Sequence, residues 1–385
     1  MKFSFKQLIH KNSGFVVLIT FPILLIVSGC TPNDPQSTFG IGGPIARQQA
    51  DLFILIFWVA VIVFILVEGA LVYILFRYRH KKNNPLPYQS HGNTRLEIIW
   101  TIIPAIILAI IAVPTVKGIW DQQSGVPLDL GSPLTVEAIG HQWWFEFRYP
   151  DLEISTANEL HIPVNRPINF KLQSEDVIHS FWVPKLAGKV DMMPVNDNYM
   201  WFIAEEPGMY YGQCAEFCGI AHALMRFRVI AESETDFENW VDGMHTPPVL
   251  PKNESEKNGR TLFTQQCSMC HTVDSYSPGS YAREITSQAE RWTSWVNDIE
   301  NSVKVSAPNL THFGLRSTVG AGLKEFSTEN PDNLIKWIKD PSKIKIGTRM
   351  QKHASIYKGG EANLKDEEIE DLANYLLSQK PNIKK

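Results

Sequence analysis

The chain has 385 residues, room for two or three domains, with 44% hydrophobic and 20% charged residues and a formal net charge of −4. That balance excludes the basic surplus of a nucleic-acid binder, and the average conceals a strong apolar bias in the first third. Five cysteines, at 30, 214, 218, 267 and 270, each sit in a motif with a use other than a disulfide, so no structural disulfide is expected.

Lys2, Lys6 and Lys11 precede an apolar run over residues 15–27. A basic start and a short apolar middle mark a signal peptide. The run is short for a spanning helix and contains Pro22. It ends at Ser28, Gly29 and Cys30, which resembles a bacterial lipobox. The cysteine of such a motif becomes the first residue after cleavage and carries a diacylglyceryl thioether; an uncleaved anchor is the alternative. Residues 52–76 and 96–116 are long enough to cross a bilayer. The first run holds one acid, Glu68, and the second holds Pro104 and Pro114, which spanning helices tolerate. Between them lie Arg77, Arg79, Lys81, Lys82 and Arg95, so this loop is expected in the cytoplasm and everything beyond residue 116 outside. Glu97 stands at the cytoplasmic start of the second run, where an interfacial acid can simply reach the headgroups.

From about residue 120 to 244 the pattern changes to short apolar alternations broken by Gly, Pro and Asn. Residues 133–138, 167–172, 199–204 and 225–230 read as strands, which suggests an antiparallel sandwich. Within it, Cys214, Cys218, His222 and Met225 fall in twelve consecutive residues. Thiolates with imidazole and a weak thioether are a copper set. Zinc has no use for Met225, and a disulfide leaves His222 and Met225 idle. Two thiolates can bridge two copper ions, each with its own imidazole: His222 supplies one, and His179 is the best candidate for the other. The aromatic stretch 140–147, with Trp143 and Trp144, reads as core plus an interface patch.

Residues 244–256 are rich in proline and polar side chains and read as a semi-stiff linker. Cys267, Cys270 and His271 then form C-x-x-C-H, the attachment signature of haem c. A thioredoxin-like dithiol would not need His271, and no second C-x-x-C exists for zinc. Met350 is the candidate for the second axial ligand, with His312 and His353 as rivals; Met269 lies between the attachment thiols and cannot reach the opposite face. A helix is expected over 331–339, and a last helix after Asp366 with Ile369, Leu372, Ala373 and Leu376 on its apolar face. Residues 275–305, with Trp292 and Trp295 at helical spacing, suit a core helix or one that covers haem, with a docking site as the alternative.

Over nearly the whole mature chain these motifs resemble subunit II of cytochrome c oxidase, in the caa-type form with a fused cytochrome c. The resemblance implies a two-helix transmembrane hairpin, an all-β cupredoxin-like Greek-key domain and an all-α class I cytochrome c domain. The expected division is 1–29 lipoprotein signal peptide, 30–50 exported tail, 51–118 membrane helices with their basic loop, 119–244 copper domain, 245–256 linker and 257–385 cytochrome domain. It also implies dinuclear CuA held by His179, Cys214, Cys218, His222, Met225 and the Glu216 carbonyl, and a magnesium site shared with subunit I through the Glu216 side chain. Trp143 would be where electrons enter above copper, and Glu97 would lie at the mouth of a proton pathway in subunit I. Asp176 and Asp191 match acidic positions near the subunit I interface. Two departures stand out: Ala307 where Gly is usual, and Gln351 after Met350 where Pro is usual.

The implied function is a relay of electrons from haem c to copper and on to subunit I, which reduces dioxygen and translocates protons. Implied partners are subunit I and the other oxidase subunits, an upstream cytochrome c or cytochrome bc-type complex, and membrane lipid, with no nucleic acid. The implied location is the bacterial inner membrane, as a multi-pass lipoprotein with both redox domains outside. Two alternatives are the electron-receiving subunit of a CuA nitric oxide reductase and a membrane copper carrier or assembly protein; the C-x-x-C-H motif argues against the carrier. The N-terminal reading is checked by mass spectrometry of the mature chain. The expected product begins at lipid-bearing Cys30; a retained Met1 segment or an unmodified Cys30 contradicts it.

Overall fold

The structure, a computed structural model, describes residues 21, 34–79, 92–123, 125–273 and 307–381. Cys30, Lys81, Lys82, Trp292 and Trp295 lie outside the described residues.

Two long helices lead the chain, α1 (Pro44–Arg77, 34 residues) and α2 (Thr94–Gln123, 30 residues). At 1.5 Å per residue they reach about 50 and about 45 Å, well beyond a hydrocarbon core of about 30 Å. Their apolar side chains are exposed nearly all round, which suits lipid or a partner rather than water. The excess length is at the copper-domain end. The helix expected from residue 52 starts eight residues earlier because its first turns are held by protein, and hydropathy does not register that. Ile45 and Ala46 are buried, and Arg47 makes a two-pronged pair with Glu205 at 3.0 and 2.7 Å. Gly42 donates to the Lys185 carbonyl at 2.8 Å and accepts from the Glu205 amide at 2.9 Å. At the end of α2, Asp121 accepts from Gln48 at 3.2 Å and ties the two helices together.

The middle of the chain is a two-layer β-structure. Its strands are β1 (Leu134–His141), β2 (Trp144–Tyr149), β3 (Ile154–Ala157), β4 (Glu159–Pro163), β5 (Ile168–Ser174), β6 (His179–Trp182), β7 (Val190–Met192), β8 (Asn198–Phe202), β9 (Gly208–Cys214) and β10 (Arg226–Glu232). One sheet runs β3-β2-β1-β5-β8 and the other β4-β10-β9-β6-β7. The expected antiparallel arrangement needs one correction: β1 pairs with β5, and β10 with β4, in parallel. Strand-by-strand patterning cannot show this, because Greek-key crossovers decide which distant strands become neighbours. In β5, Ile168, Phe170 and Leu172 point inward while Asn169, Lys171 and Gln173 face outward, the two-residue period of a sheet. The core is a packed group of rings. Phe181 lies 4.8 Å from Phe227, Phe145 4.7 Å from Phe227, and Phe170 4.7 Å from Phe202 between centroids. Gly212 leaves the space that the Phe227 ring fills; a Cβ there would collide with it. Helix α3 (Glu234–Met244) closes this unit with Phe237 and Trp240.

The C-terminal unit is mainly helical: α4 (Glu254–Gln266), α5 (Asp332–Lys339), α6 (Pro341–Ile344), α7 (Arg349–His353) and α8 (Asp366–Ser378), with one short strand pair. Helix α5 begins one residue after the expected Pro331, which serves as its N-cap. The expected apolar face of α8 is buried against Phe263 of α4. Gly259 permits the close crossing, since a Cβ there would meet the Asp371 carbonyl on α8.

The two redox units are seated on each other. Buried Glu159 accepts from the Ser317 amide at 3.0 Å, the Ser317 hydroxyl at 3.0 Å and the Thr318 hydroxyl at 2.6 Å. Arg228 donates to the Gly322 carbonyl at 2.6 Å while lying over the Tyr211 ring. The stretch read as a linker is pinned along its length. His245 donates to the Leu152 carbonyl at 2.7 Å, Thr246 accepts from His312 at 3.0 Å, and Val249 exchanges hydrogen bonds with the Gln379 side chain at 3.1 and 2.9 Å.

Inside the copper unit, Glu146 is buried and accepts from Arg148 at 2.8 Å and from His141 at 3.1 Å. Burial pushes its carboxyl up, but the His141 hydrogen bond and the Arg148 charge overrule it and hold the group at about 2. This depressed value means its stabilisation is complete above the unfolded value near 4.5 and is lost as pH falls toward 2. Glu146→Gln should therefore cost roughly 1–3 kcal/mol at pH 7, because buried Glu146 loses its charge-assisted bonds to His141 and to half-buried Arg148. The penalty should shrink between pH 4.5 and 2. Urea unfolding of both forms across that range is the measurement.

Candidate copper and haem sites

Three stretches of chain converge on the sulfurs. Cys214 ends β9, His179 opens β6, and Cys218, His222 and Met225 occupy the loop into β10. The Cys214 and Cys218 sulfurs are 3.8 Å apart, far too long for a disulfide. His179 Nδ1 is 3.8 Å from the Cys214 sulfur, His222 Nδ1 3.6 Å from the Cys218 sulfur, and Met225 Sδ 3.8 Å from the Cys218 sulfur. Donor-to-donor edges of about 3.3–3.8 Å are what tetrahedral bonds of about 2.0–2.3 Å produce. The Glu216 carbonyl oxygen lies 3.2 Å from the Cys214 sulfur, so it too faces the sulfurs, while the Glu216 side chain is half-exposed, 3.9 Å from Lys189. The donor set thus fits copper, with one imidazole on each thiol and two soft sulfurs between them.

The electrostatics favour metal binding. Hydrogen bonding from Cys218, with help from His179, pulls the Cys214 thiol down to about 3, and the resulting thiolate pushes Cys218 up. Two thiols this close share a proton until a cation replaces it. Asp176 holds His179 Nε2 at 2.8 Å, which leaves Nδ1 to face the sulfurs. Gly140 gives the His179 ring its space; a Cβ there would stand 2.7 Å from the ring.

Trp143 sits over the same loop: its indole N–H donates to the Cys218 carbonyl at 2.9 Å, beside the Gln142 side-chain amide at 2.8 Å. Trp144 stacks flat on His141 at 4.3 Å, and His141 is spent on Glu146 rather than on metal.

In the cytochrome unit a cavity of about 180 Å³ is lined by Cys267, Cys270, His271 and Met350 among mostly apolar walls. His271 Nδ1 donates to the Pro308 carbonyl at 2.8 Å, which leaves Nε2 for iron, and burial lowers its basicity so that the ring stays neutral. Thiols, a neutral imidazole and a thioether on one apolar cavity fit haem c. His353 also lines the cavity, whereas His312 is spent on the Thr246 carbonyl and Met269 points to solvent. Gln351, where proline is usual, ties its own loop by donating to Asp340 at 3.1 Å and to the Gly360 carbonyl at 2.5 Å. Glu97 lies in the first turn of α2, far from this group of residues in the chain, and Glu68 is exposed on α1.

Sequence reasoning singled out Trp143 and Asp176 but missed Gln142, Lys345 and Arg349, which join the sites with them. Gln142 and Trp143 form part of the haem cavity wall. Lys345 donates to the Trp143 carbonyl. Arg349 reaches Gln142 at 3.3 Å and Asp176 at 3.7 Å, so Asp176 faces the cytochrome unit. The one available signal was the pair of cations in the short stretch before Met350. Met350→Ala should remove the sulfur-to-iron absorption band and lower the haem potential, with the covalent links of Cys267 and Cys270 intact. A band that persists in Met350→Ala would move the assignment to another methionine, and a natural chain without the band would move it to His353.

Comparison with known proteins agrees along the chain. The family described as the transmembrane domain of cytochrome c oxidase subunit II matches residues 40–117, its periplasmic domain matches 152–232, and cytochrome c matches 256–380. The chain is 33% identical to cytochrome c oxidase subunit 2 of Alkalihalophilus pseudofirmus, over 93% of this chain and 95% of that one. It is also 33% identical to the Bacillus subtilis protein of the same name, over 96% and 98%. Quinol oxidase subunit 2 of Bacillus spizizenii is 36% identical over 65% of this chain and 78% of its own. The chain is a membrane protein with a periplasmic domain, and copper and haem c are its cofactors. It belongs to the cytochrome c oxidase subunit II family, in the form that joins a copper domain to a cytochrome c.

Proposed function

We propose that this chain is the electron-receiving subunit of a haem-copper oxidase, serving an oxygen-reducing, proton-translocating subunit I. Copper and haem c, when bound, supply one-electron chemistry; the chain's residues hold, insulate and orient them. Cys214, Cys218, His179, His222, Met225 and the Glu216 carbonyl would hold copper. Asp176 fixes His179 through a 2.8 Å hydrogen bond. Cys267, Cys270, His271 and Met350 would hold haem in the apolar cavity whose lining includes Trp143. That shared wall is the observation that carries the reading: one indole touches both the haem cavity and, through the Cys218 carbonyl, the copper loop.

The finer parts of the proposal rest on the family resemblance and on charge placement. Glu216 offers its half-exposed carboxylate to a magnesium ion shared with subunit I. Glu97 stands at a proton-pathway mouth. Cys30 anchors the mature N-terminus in lipid, and the donor upstream is a cytochrome c or a cytochrome bc-type complex. The similarity to a quinol oxidase subunit makes quinol the second candidate donor. The copper donor set and the haem cavity speak for a metal relay instead. Oxygen and nitric oxide consumption by the purified complex decides the acceptor, with quinol and reduced cytochrome c as competing donors. The expected result is dioxygen reduction driven by cytochrome c. Cys218→Ser should abolish that turnover and the two-copper electron resonance while haem c remains fully reducible. Turnover that survives Cys218→Ser would refute the copper relay.

A further inference from the structure

The stretch that leads into Met350 presses on the copper loops at three points. Lys345 is buried, and its ammonium donates to the Trp143 carbonyl. Gly347 has φ +76°, and a Cβ there would collide with Ile220 Cγ2 and stand 3.8 Å from the Trp143 ring. Arg349 lies 3.3 Å from Gln142 Oε1 and 3.7 Å from Asp176 Oδ2. Each contacted residue is tied to a copper ligand. Gln142 and Trp143 both donate to the Cys218 carbonyl, Asp176 holds His179, and Ile220 lies in the loop between Cys218 and His222.

We infer that Lys345, Gly347 and Arg349 form a docking clasp that keeps the cytochrome unit closed on Trp143, with Arg349 a positioning residue that acts on His179 through Asp176. The inference deepens the relay reading and rests on it. A buried lysine is costly unless its protons find a partner, and here the partner is across the interface. A positive-φ glycine admits the backbone to a distance that any side chain would forbid. Arg349 presents a planar fork to an amide oxygen and a carboxylate together, a shape lysine lacks. The Arg349–Asp176 pair is partly exposed and long, so its own contribution is modest and the clasp depends on the three contacts acting together. The Glu159 and Arg228 contacts brace the interface elsewhere, and the pinned connection between the units leaves no free tether to search with. Transfer then starts from a docked ground state, and a donor from outside must approach the cytochrome unit on another face.

The test is flash reduction of haem c in the purified oxidase, with copper followed optically at several dilutions, viscosities and salt concentrations. The natural chain should show a first-order step insensitive to all three. In Arg349→Gln and in Gly347→Ala the step should slow about threefold to tenfold, the span set by a partly exposed charge pair and a strained glycine. It should also become viscosity-dependent as docking begins to limit it. Arg349→Gln withdraws a cation from Asp176, so the copper potential, titrated separately from that of haem c, should fall, and Arg349→Lys should restore part of it; a merely structural role would leave the copper potential alone. The sulfur-to-iron band and the copper resonance certify folding in each variant. If Gly347→Ala loses either signal, Arg349→Gln alone decides. Natural rate, viscosity independence and copper potential in Arg349→Gln would overturn the clasp and leave the relay intact. Absence of haem-to-copper transfer in the natural chain would instead overturn the relay beneath it.

Discussion

Where β6 and β9 pair, Phe181 stands opposite Cys214, and the copper site depends on that register. Residues two apart on a strand share a face, so seating Phe181 in the core also turns His179 inward toward the Cys214 sulfur. A slip of one residue would carry His179 to the opposite face and dismantle the donor set. The register is protected by the rings around Phe181 and by the absence of side chains at Gly140 and Gly212. The aromatic core therefore does more than stabilise: it sets the distance between the imidazole and the thiols.

Among the buried charges of the described residues, three sit where orientation matters. Glu146 locks His141 and Arg148 beneath Trp144, Glu159 gathers donors from the cytochrome unit, and Lys345 sits on the Trp143 carbonyl. Such groups contribute little net stability compared with apolar replacements of equal volume, but breaking one partner is costly. Their positions suggest specificity as the return: each fixes an angle or a contact that an apolar pair would leave free to slide.

Proteins with two different oxidase names are similar to this chain, one of them over 65% of this chain's length, so similarity of scaffold does not by itself fix function. The chemistry of this chain lies in the side chains grafted on the scaffold, two thiols and two imidazoles in one place and a C-x-x-C-H cavity in the other. Tying the two units together with specific hydrogen bonds turns what could be a search between molecules into a contact within one.

The chemistry of this protein was legible in sequence because it is local. Cys214, Cys218, His222 and Met225 are close along the chain, as are Cys267, Cys270 and His271, and soft donors at short spacing have few other uses. The apolar face of the last helix and the inward residues of β5 were legible for the same reason: periodicity is a property of neighbours. What the sequence could not convey was set by distant partners. The start of α1 at Pro44 depends on Glu205, the parallel pairing of β1 with β5 on a crossover, and the pinning of residues 245–249 on Leu152 and Gln379. Asp176 was visible as an acid, but its position between His179 and Arg349 exists only once 173 residues of separation have been closed. Spacing alone therefore determined which cofactors this chain takes. How the two sites face each other was decided by tertiary packing, because contacts between residues far apart in the chain depend on the fold that brings them together.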